Sequence, residues 1–153
     1  MQRPDSPGTD QPDFGHPGSG QADSSRPYVK HIGPALLAAL FVGAGALHFL
    51  RPQIYDPIVP AWAAPGLFPT ARSVTLISGA AELAGGLGML LPATRPVARW
   101  GLALLLVLVF PANLDMARQP EKYGLPAWAL WARLPLQPLL IWWVLRAGRP
   151  DGK

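Results

Sequence analysis

Positions 73–91 read SVTLISGAAELAGGLGMLL, an apolar run as long as a bilayer crossing that carries a glutamate near its middle. At about 1.5 Å of rise per residue, a helix of this length covers the ~30 Å hydrocarbon core of a membrane. Three further apolar stretches of similar length lie at 33–50, 97–114 and 127–145. The sequence therefore predicts an all-α fold, a four-transmembrane-helix antiparallel bundle that forms a single membrane domain over 31–147.

Composition narrows the possible chemistry. The 153 residues are 50% hydrophobic and 14% charged, and none is cysteine, which excludes disulfides, thiolate metal sites and cysteine-ligated iron–sulfur clusters within the chain. The net charge of +4 comes mostly from basic residues beside the apolar stretches, where anionic headgroups attract them. We expect a lipid bilayer as the environment, no nucleic-acid partner and no metal site.

The N-terminal residues 1–30 are rich in Pro, Gly, Ser and Asp and nearly lack aliphatic side chains, which predicts a disordered tail. The apolar run that follows is too long for a cleaved signal peptide. Basic residues are more frequent on the side of the two termini: Arg26, Lys30, Arg95, Arg99, Arg146, Arg149 and Lys153. The positive-inside rule and an even number of crossings then place both tails, 1–30 and 148–153, in the cytoplasm of a multi-pass plasma-membrane protein.

The segment between the first two stretches, residues 51–72, is interrupted by five prolines. Proline removes a backbone donor and clashes with the preceding helical turn, so a continuous helix is excluded. Apolar side chains lie between the prolines. We expect this segment to pack as a cap over the outer end of the bundle.

Glu82 is the central candidate, because it lies ~14 Å below the outer end of its helix, where an unpaired carboxylate is costly. Thr75 and Ser78 share its small, polar helix face, which is expected to point inward. Arg133 and Gln137 lie four residues apart in the last stretch, at depths of ~9 and ~15 Å. The sequence predicts an ion pair between Glu82 and Arg133, with either a structural role or a role in ligand or proton handling.

Two more polar residues lie at the outer rim. His48 ends the first stretch, and Asn113 follows Pro111 in the third. His48 either bonds a loop carbonyl or serves as a metal or haem ligand, whereas Asn113 and Gln137 either join helices or contact a substrate. The predicted result is a polar pocket open to the outer side, whose catalytic residues and ligand stay unspecified. Its members are His48, Glu82, Asn113, Arg133 and Gln137, with Thr75 and Ser78 in support.

Four segments carry a family resemblance: GALHFLRPQIYDPIVPAW at 45–62, SGAAELAGGLGMLLPATRPVARWG at 78–101, VFPANLDMA at 109–117 and RLPLQPLLIWWVL at 133–145. In order and spacing the chain resembles the DoxX family of small four-helix membrane proteins over about 33–146. The resemblance implies a component near membrane quinone chemistry, with a quinone as possible cofactor and a membrane-associated oxidoreductase as possible partner. The five pocket residues match the family pattern.

Three functions are compatible with the sequence. The favoured one is an accessory or anchoring subunit without catalytic activity of its own, which serves a partner oxidoreductase. The second is a small-molecule or proton carrier in which Glu82 titrates. The third is a membrane enzyme that uses Glu82 or His48 as a proton donor or acceptor, and it is the least favoured because no nucleophile with an adjacent base and no nucleotide-binding loop occurs.

Overall fold

The computed structural model describes residues 27–63 and 68–149, with side chains from residue 32 onward. Its four long helices are α1 (Pro27–Leu50), α2 (Ala71–Leu90), α3 (Arg95–Arg118) and α4 (Ala127–Ala147). Two one-turn helices, Pro52–Tyr55 and Pro120–Tyr123, and a 3₁₀ turn, Asp56–Ile58, lie in the connections. Every regular element in the described residues is helical, which confirms the all-α prediction. Most of the predicted disordered tail, residues 1–26, lies outside them.

The helix ends follow from local chemistry. Thr70 is extended, and its hydroxyl accepts a hydrogen bond from the Ser73 amide at 3.1 Å, which satisfies one of the free donors at the start of α2. The short helix Pro120–Tyr123 ends at Gly124, whose φ of 62° is in the left-handed region that glycine adopts without strain. These caps fix where α2 begins and where the short helix after α3 ends.

Two helices are longer than the apolar pattern indicates. α1 begins at Pro27, so residues 27–30, which were assigned to the disordered tail, are helical; a proline in the first turn of a helix has no intrahelical partner to lose. α3 continues past 114 to Arg118. Its added turn is stabilised by Asp115, whose carboxylate accepts hydrogen bonds from Gln119 and Tyr123.

Each long helix packs mainly on its neighbour in the chain: α1 on α2, α2 on α3 and α3 on α4, with a smaller contact between α1 and α4. The α1–α2 interface is the most extensive, and glycines make it close. A Cβ atom on Gly45 would lie 2.8 Å from the Gly79 carbonyl oxygen, and one on Gly79 would lie 2.5 Å from the His48 Cβ. Larger side chains at these positions would force the two backbones apart.

The buried apolar side chains form two clusters. The larger one joins all four helices and contains Leu37, Ala38, Phe41, Met89, Ala98, Leu102, Leu106 and Val144. The smaller one lies where α3 ends and α4 begins, and contains Met116, Ala117 and Leu130, covered by Ile58, Tyr123 and Leu134. The second cluster holds the connecting segment Asp56–Ile58 against the bundle, as expected for a cap.

Three helical segments, Ile32–Leu50, Ala71–Leu90 and Arg95–Arg118, are long and apolar enough to cross a membrane. α4 is of similar length and carries Arg133 and Gln137 within its apolar sequence. Large apolar side chains point outward along all four helices, for example Leu40, Leu87, Leu108 and Leu139. A protein that exposes this much apolar surface requires an apolar surrounding or a partner.

Candidate functional site

The first polar contact lies in the α1–α2 interface. His48, in the last turn of α1, places its Nδ1 2.9 Å from the Ala44 carbonyl oxygen and 3.4 Å from the Glu82 Oε2. Because a carbonyl oxygen only accepts, Nδ1 carries the proton and donates it to Ala44. Glu82 Oε2 is buried and has no hydrogen-bond partner within the described residues. The carboxylate is thus close to His48 but is not fully bonded by it.

Tyr55 covers this contact from the one-turn helix Pro52–Tyr55. Its ring stacks on the His48 imidazole with 3.7 Å between centroids and 22° between planes. Burial raises the pKa of the Tyr55 phenol above its usual 10.0, the Glu82 carboxylate raises it further, and the Arg133 guanidinium opposes the rise. Tyr55 therefore lies within the fields of both charged pocket residues, although the sequence pattern did not single it out.

The connection that carries Tyr55 is tied to α2 by an ion pair. Arg72 Nε donates to Asp56 Oδ2 at 2.8 Å, and half of the Arg72 side chain is exposed. The second oxygen of the Asp56 carboxylate is buried and unbonded within the described residues. The same is true of the Thr75 hydroxyl, one turn into α2. Unbonded oxygens thus accompany the His48–Glu82 contact toward the start of α2, with Thr75 buried and Ser78 half-buried.

The second polar contact joins α3 to α4. Asn113 Nδ2 donates to Gln137 Oε1 at 2.7 Å, and Gln137 Nε2 donates to the Leu106 carbonyl oxygen. Pro111 lies inside α3 and lacks an N–H, so the Val107 carbonyl four residues earlier has no helical donor. Gln137 is buried and bonded at both ends of its amide, as is typical of a polar bridge between helices.

An apolar cavity of about 350 Å³ adjoins this bridge, lined by Val107, Phe110, Pro111, Leu134, Gln137, Pro138 and Ile141. Pro138 and Pro111 face it from opposite helices. Both prolines lie inside their helices, where a proline kinks or bends the helix axis. The cavity can accept an apolar group, with the Gln137 amide as the polar side chain in its wall.

The predicted ion pair between Glu82 and Arg133 is wrong. Glu82 faces His48, and Arg133 is exposed on α4 without an ion-pair partner among the described side chains. The reason is which helices are neighbours in the bundle. α2 packs on α1 and α3, while α4 packs on α3 and, less, on α1. Equal depth in a membrane does not make two helices neighbours. The five pocket residues are therefore joined as two separate pairs, His48 with Glu82 and Asn113 with Gln137, with Arg133 in neither.

Sequence reasoning also missed the role of Arg95. It was counted among the basic residues beside the spans, but it is buried, and its Nε donates to the Met89 carbonyl at 3.0 Å. Thr94 donates likewise to the Gly88 carbonyl at 2.8 Å. Both bonds satisfy carbonyls at the end of α2 that have no partner within the helix. The shortness of the connection between α2 and α3 was the available signal, because a helix that ends abruptly needs side-chain donors.

The protein is thus all-α, with three helical segments of membrane-crossing length and two partly buried polar pairs between its helices. Residues 37–148, more than two thirds of the chain, match the family model described as "Domain of unknown function (DUF8561)". The chain belongs to this family. The matched range contains both polar pairs, Tyr55 and Arg133. No curated protein and no solved structure matches the chain.

Proposed function

We propose that this chain is an integral membrane protein whose four long helices cross the bilayer in alternating directions. Contacts between opposite helix ends support this arrangement: Gly33 near the start of α1 adjoins Ala147 at the end of α4, and Gly88 near the end of α2 adjoins Ala98 near the start of α3. The outward apolar side chains would face lipid. The excess of arginine at the end that includes Arg95 and Arg149 would be cytoplasmic, in a plasma membrane, with both termini on that side.

The chain offers a direct test of this topology, because it has no cysteine of its own. Single cysteines introduced as Gln53→Cys and Arg149→Cys occupy exposed positions at opposite ends of the bundle. A membrane-impermeant maleimide applied to intact cells should label Gln53→Cys, and should label Arg149→Cys only after lysis. Labelling of both in intact cells, or of neither, would contradict four alternating crossings.

We further propose that the protein is a DoxX-like accessory or anchoring subunit of a membrane-associated oxidoreductase, close to quinone chemistry and without catalytic activity of its own. Arg133 is the observation that carries this proposal. It is exposed on a helix that would lie in lipid, among exposed Trp128 and Trp131, and no carboxylate of the described residues pairs with it. An arginine at membrane depth needs an anionic or hydrogen-bonding partner, and a carboxylate on a partner's helix would supply one.

The test is affinity purification from native membranes in mild detergent, followed by mass spectrometry of bound proteins and of extracted quinones. We expect an oxidoreductase to copurify with the wild type, to be lost with Arg133→Leu and to be partly kept with Arg133→Lys, which preserves the charge. Arg118→Leu is the matched control, since Arg118 is exposed at the end of α3. A wild-type protein that runs alone would overturn the subunit proposal.

A proton carrier is the second candidate, and one observation favours it. Glu82 Oε2 is buried, unbonded and 3.4 Å from the His48 Nδ1, so it retains an unfilled acceptor site at which a proton can bind. Reconstituted vesicles should then show proton flux that Glu82→Gln abolishes. Adding Gln137→Glu to the Glu82→Gln variant should not restore the flux. Equal flux in the wild type and in Glu82→Gln would remove this candidate.

A further inference from the structure

A second strongly charged region lies at the opposite end of the bundle from His48. Arg95 and Arg99 lie in the first turns of α3, and Arg146 and Arg149 at the end of α4. The two helix ends meet, because a Cβ atom on Gly148 would lie 2.5 Å from the Arg99 Cβ. No carboxylate occurs in residues 83–114 or 122–149. Within the described chain, this end therefore has cationic groups without anionic counterparts.

Arg99 differs from its neighbour Arg95 in one respect. Arg95 Nε is bonded to the Met89 carbonyl, whereas Arg99 Nε is buried and has no partner within the described residues. Gly148 packs against the Arg99 stem, with its Cβ position only 3.0 Å from the Arg99 Cδ, and so restricts where the side chain can lie. The stem of Arg99 is thus held in place by the end of α4, and the two terminal Nη groups of its planar guanidinium suit the geometry of a phosphate.

The surroundings of Arg99 match the level of lipid headgroups. Its guanidinium lies over the Trp100 ring, 5.5 Å from the centroid, and Arg146 lies over Trp142 at the same distance. Tryptophan is enriched where the bilayer core meets the headgroups. From this level, exposed apolar side chains continue along α3 at Val97, Trp100 and Leu104. A cationic group beside such a strip suits a ligand with an anionic head and an apolar chain.

We propose that Arg99 binds the phosphate of an anionic phospholipid, with its two terminal Nη groups as donors and with Arg149 adding positive charge beside Gly148. The acyl chains lie along the apolar strip of α3. This site differs from the general attraction of basic residues to anionic membranes, because it depends on the arginine fork and not on charge alone. The inference rests on the proposed membrane placement but is independent of the subunit and carrier proposals.

The experiment is native mass spectrometry of protein from vesicles that contain equal amounts of phosphatidylglycerol and phosphatidylcholine. We expect the wild type to retain phosphatidylglycerol preferentially and Arg99→Lys, which keeps the charge, to lose about tenfold in retention because the fork is gone. Arg118→Lys, at the other end of α3, should retain lipid as the wild type does. Added inorganic phosphate should not displace the lipid, since it lacks the apolar chain.

Equal retention by wild type and Arg99→Lys, or equal retention of the two lipids by the wild type, would overturn the site. Displacement by inorganic phosphate would show a free-anion site and overturn the lipid assignment. If Arg99→Lys yields no folded protein, Arg99→Gln replaces it in the comparison, because glutamine keeps the Cβ and Cδ that pack on Gly148 and removes the guanidinium. Vesicle flotation of the same sample tests the membrane placement separately from the lipid site. Protein that floats without retaining phosphatidylglycerol contradicts only this site. Protein that does not float contradicts the membrane placement.

Discussion

The α1–α2 and α3–α4 interfaces both hold a polar pair between apolar helices, but they do so in opposite ways. At α1–α2, glycines bring the backbones close, and the His48–Glu82 contact leaves a carboxylate oxygen unbonded. At α3–α4, prolines accompany a cavity of about 350 Å³, and the Asn113–Gln137 pair is bonded through to a backbone carbonyl. The interface with the close glycine contacts thus contains the unsatisfied group, and the interface beside the cavity contains the satisfied one.

This difference in bonding distinguishes a candidate functional pair from a candidate structural pair. Buried polar groups in proteins are nearly always bonded, so an unbonded one in a well-packed interface is the better candidate for binding or proton exchange. A fully bonded amide pair has the properties of a bridge that fixes two helices. The proposed proton exchange therefore belongs to the α1–α2 interface, whereas Asn113 and Gln137 have the bonding that a structural bridge requires.

The largest expected effect comes from closing the tight interface. Gly79→Ala would place a methyl group 2.5 Å from the His48 Cβ and 3.1 Å from the Gly45 carbonyl oxygen, and overpacking of this kind destabilises by about 1–3 kcal/mol. Thermal unfolding in detergent, followed by circular dichroism, measures it. Gly101→Ala on α3 is the control: nothing lies within 4 Å of its Cβ position, so better helix propensity should stabilise by about 0.5–1 kcal/mol. Similar effects of both would refute the close approach.

Gln137→Leu should be next in size. It leaves the Asn113 amide and the Leu106 carbonyl without their partner, and a buried group left unbonded costs about 1–3 kcal/mol. The double variant Asn113→Leu with Gln137→Leu removes both side-chain amides, and should recover part of the loss in the same unfolding assay. A single variant as stable as the wild type would mean that the bridge contributes nothing.

Glu82→Gln should affect stability less, by under about 1 kcal/mol, because the altered carboxylate has no short hydrogen bond to lose. Its effect should instead appear in activity, as lost proton flux or lost ligand retention in vesicles. Comparison with Gln137→Leu sharpens the contrast between the interfaces. A Glu82→Gln protein that is as destabilised as Gln137→Leu would make Glu82 a structural residue.

The smallest effect at neutral pH should come from Tyr55→Phe, which keeps the ring that stacks on His48. Burial and then Glu82 raise the Tyr55 pKa above 10.0 in the folded protein, so the neutral phenol stabilises the fold. That contribution is complete below about pH 10 and is lost as the pH rises through the folded pKa. Tyr55→Phe should therefore resist alkaline unfolding better than the wild type, and Glu82→Gln should do so to a lesser degree. Identical alkaline unfolding of all three would contradict this burial.

The sequence predicted the helices well because the signal is local. The helices coincide with apolar runs bounded by Pro, Gly and Thr. For α2, the predicted range 73–91 differs from the structure by two residues at its start and by one at its end. Pairing depends instead on which helices are neighbours. Depth along the helix axis predicts Arg133 as the partner of Glu82. In the structure, glycines bring α1 close to α2, and His48 of α1 contacts Glu82 instead. Spacing within one helix carries no information about the rotation or position of another.

Tyr55 shows a second limit of the same reasoning. The prolines of residues 51–72 correctly excluded a long helix, yet they do not predict that one helical turn, Pro52–Tyr55, returns an aromatic ring onto His48. Such a contact depends on a short chain reversal and on the ring below it. The side chains that a polar pocket obtains from its cap are therefore the hardest to read from sequence.

The packing of each helix on its neighbour in the chain has a consequence for biosynthesis. Of the four long helices, α1 and α2, which share the most extensive interface, are synthesised before α3 and α4, each of which then finds its main docking surface already made. Local pairings of this kind form without a search across the chain. The bundle can therefore assemble in the order of its synthesis, one helix at a time.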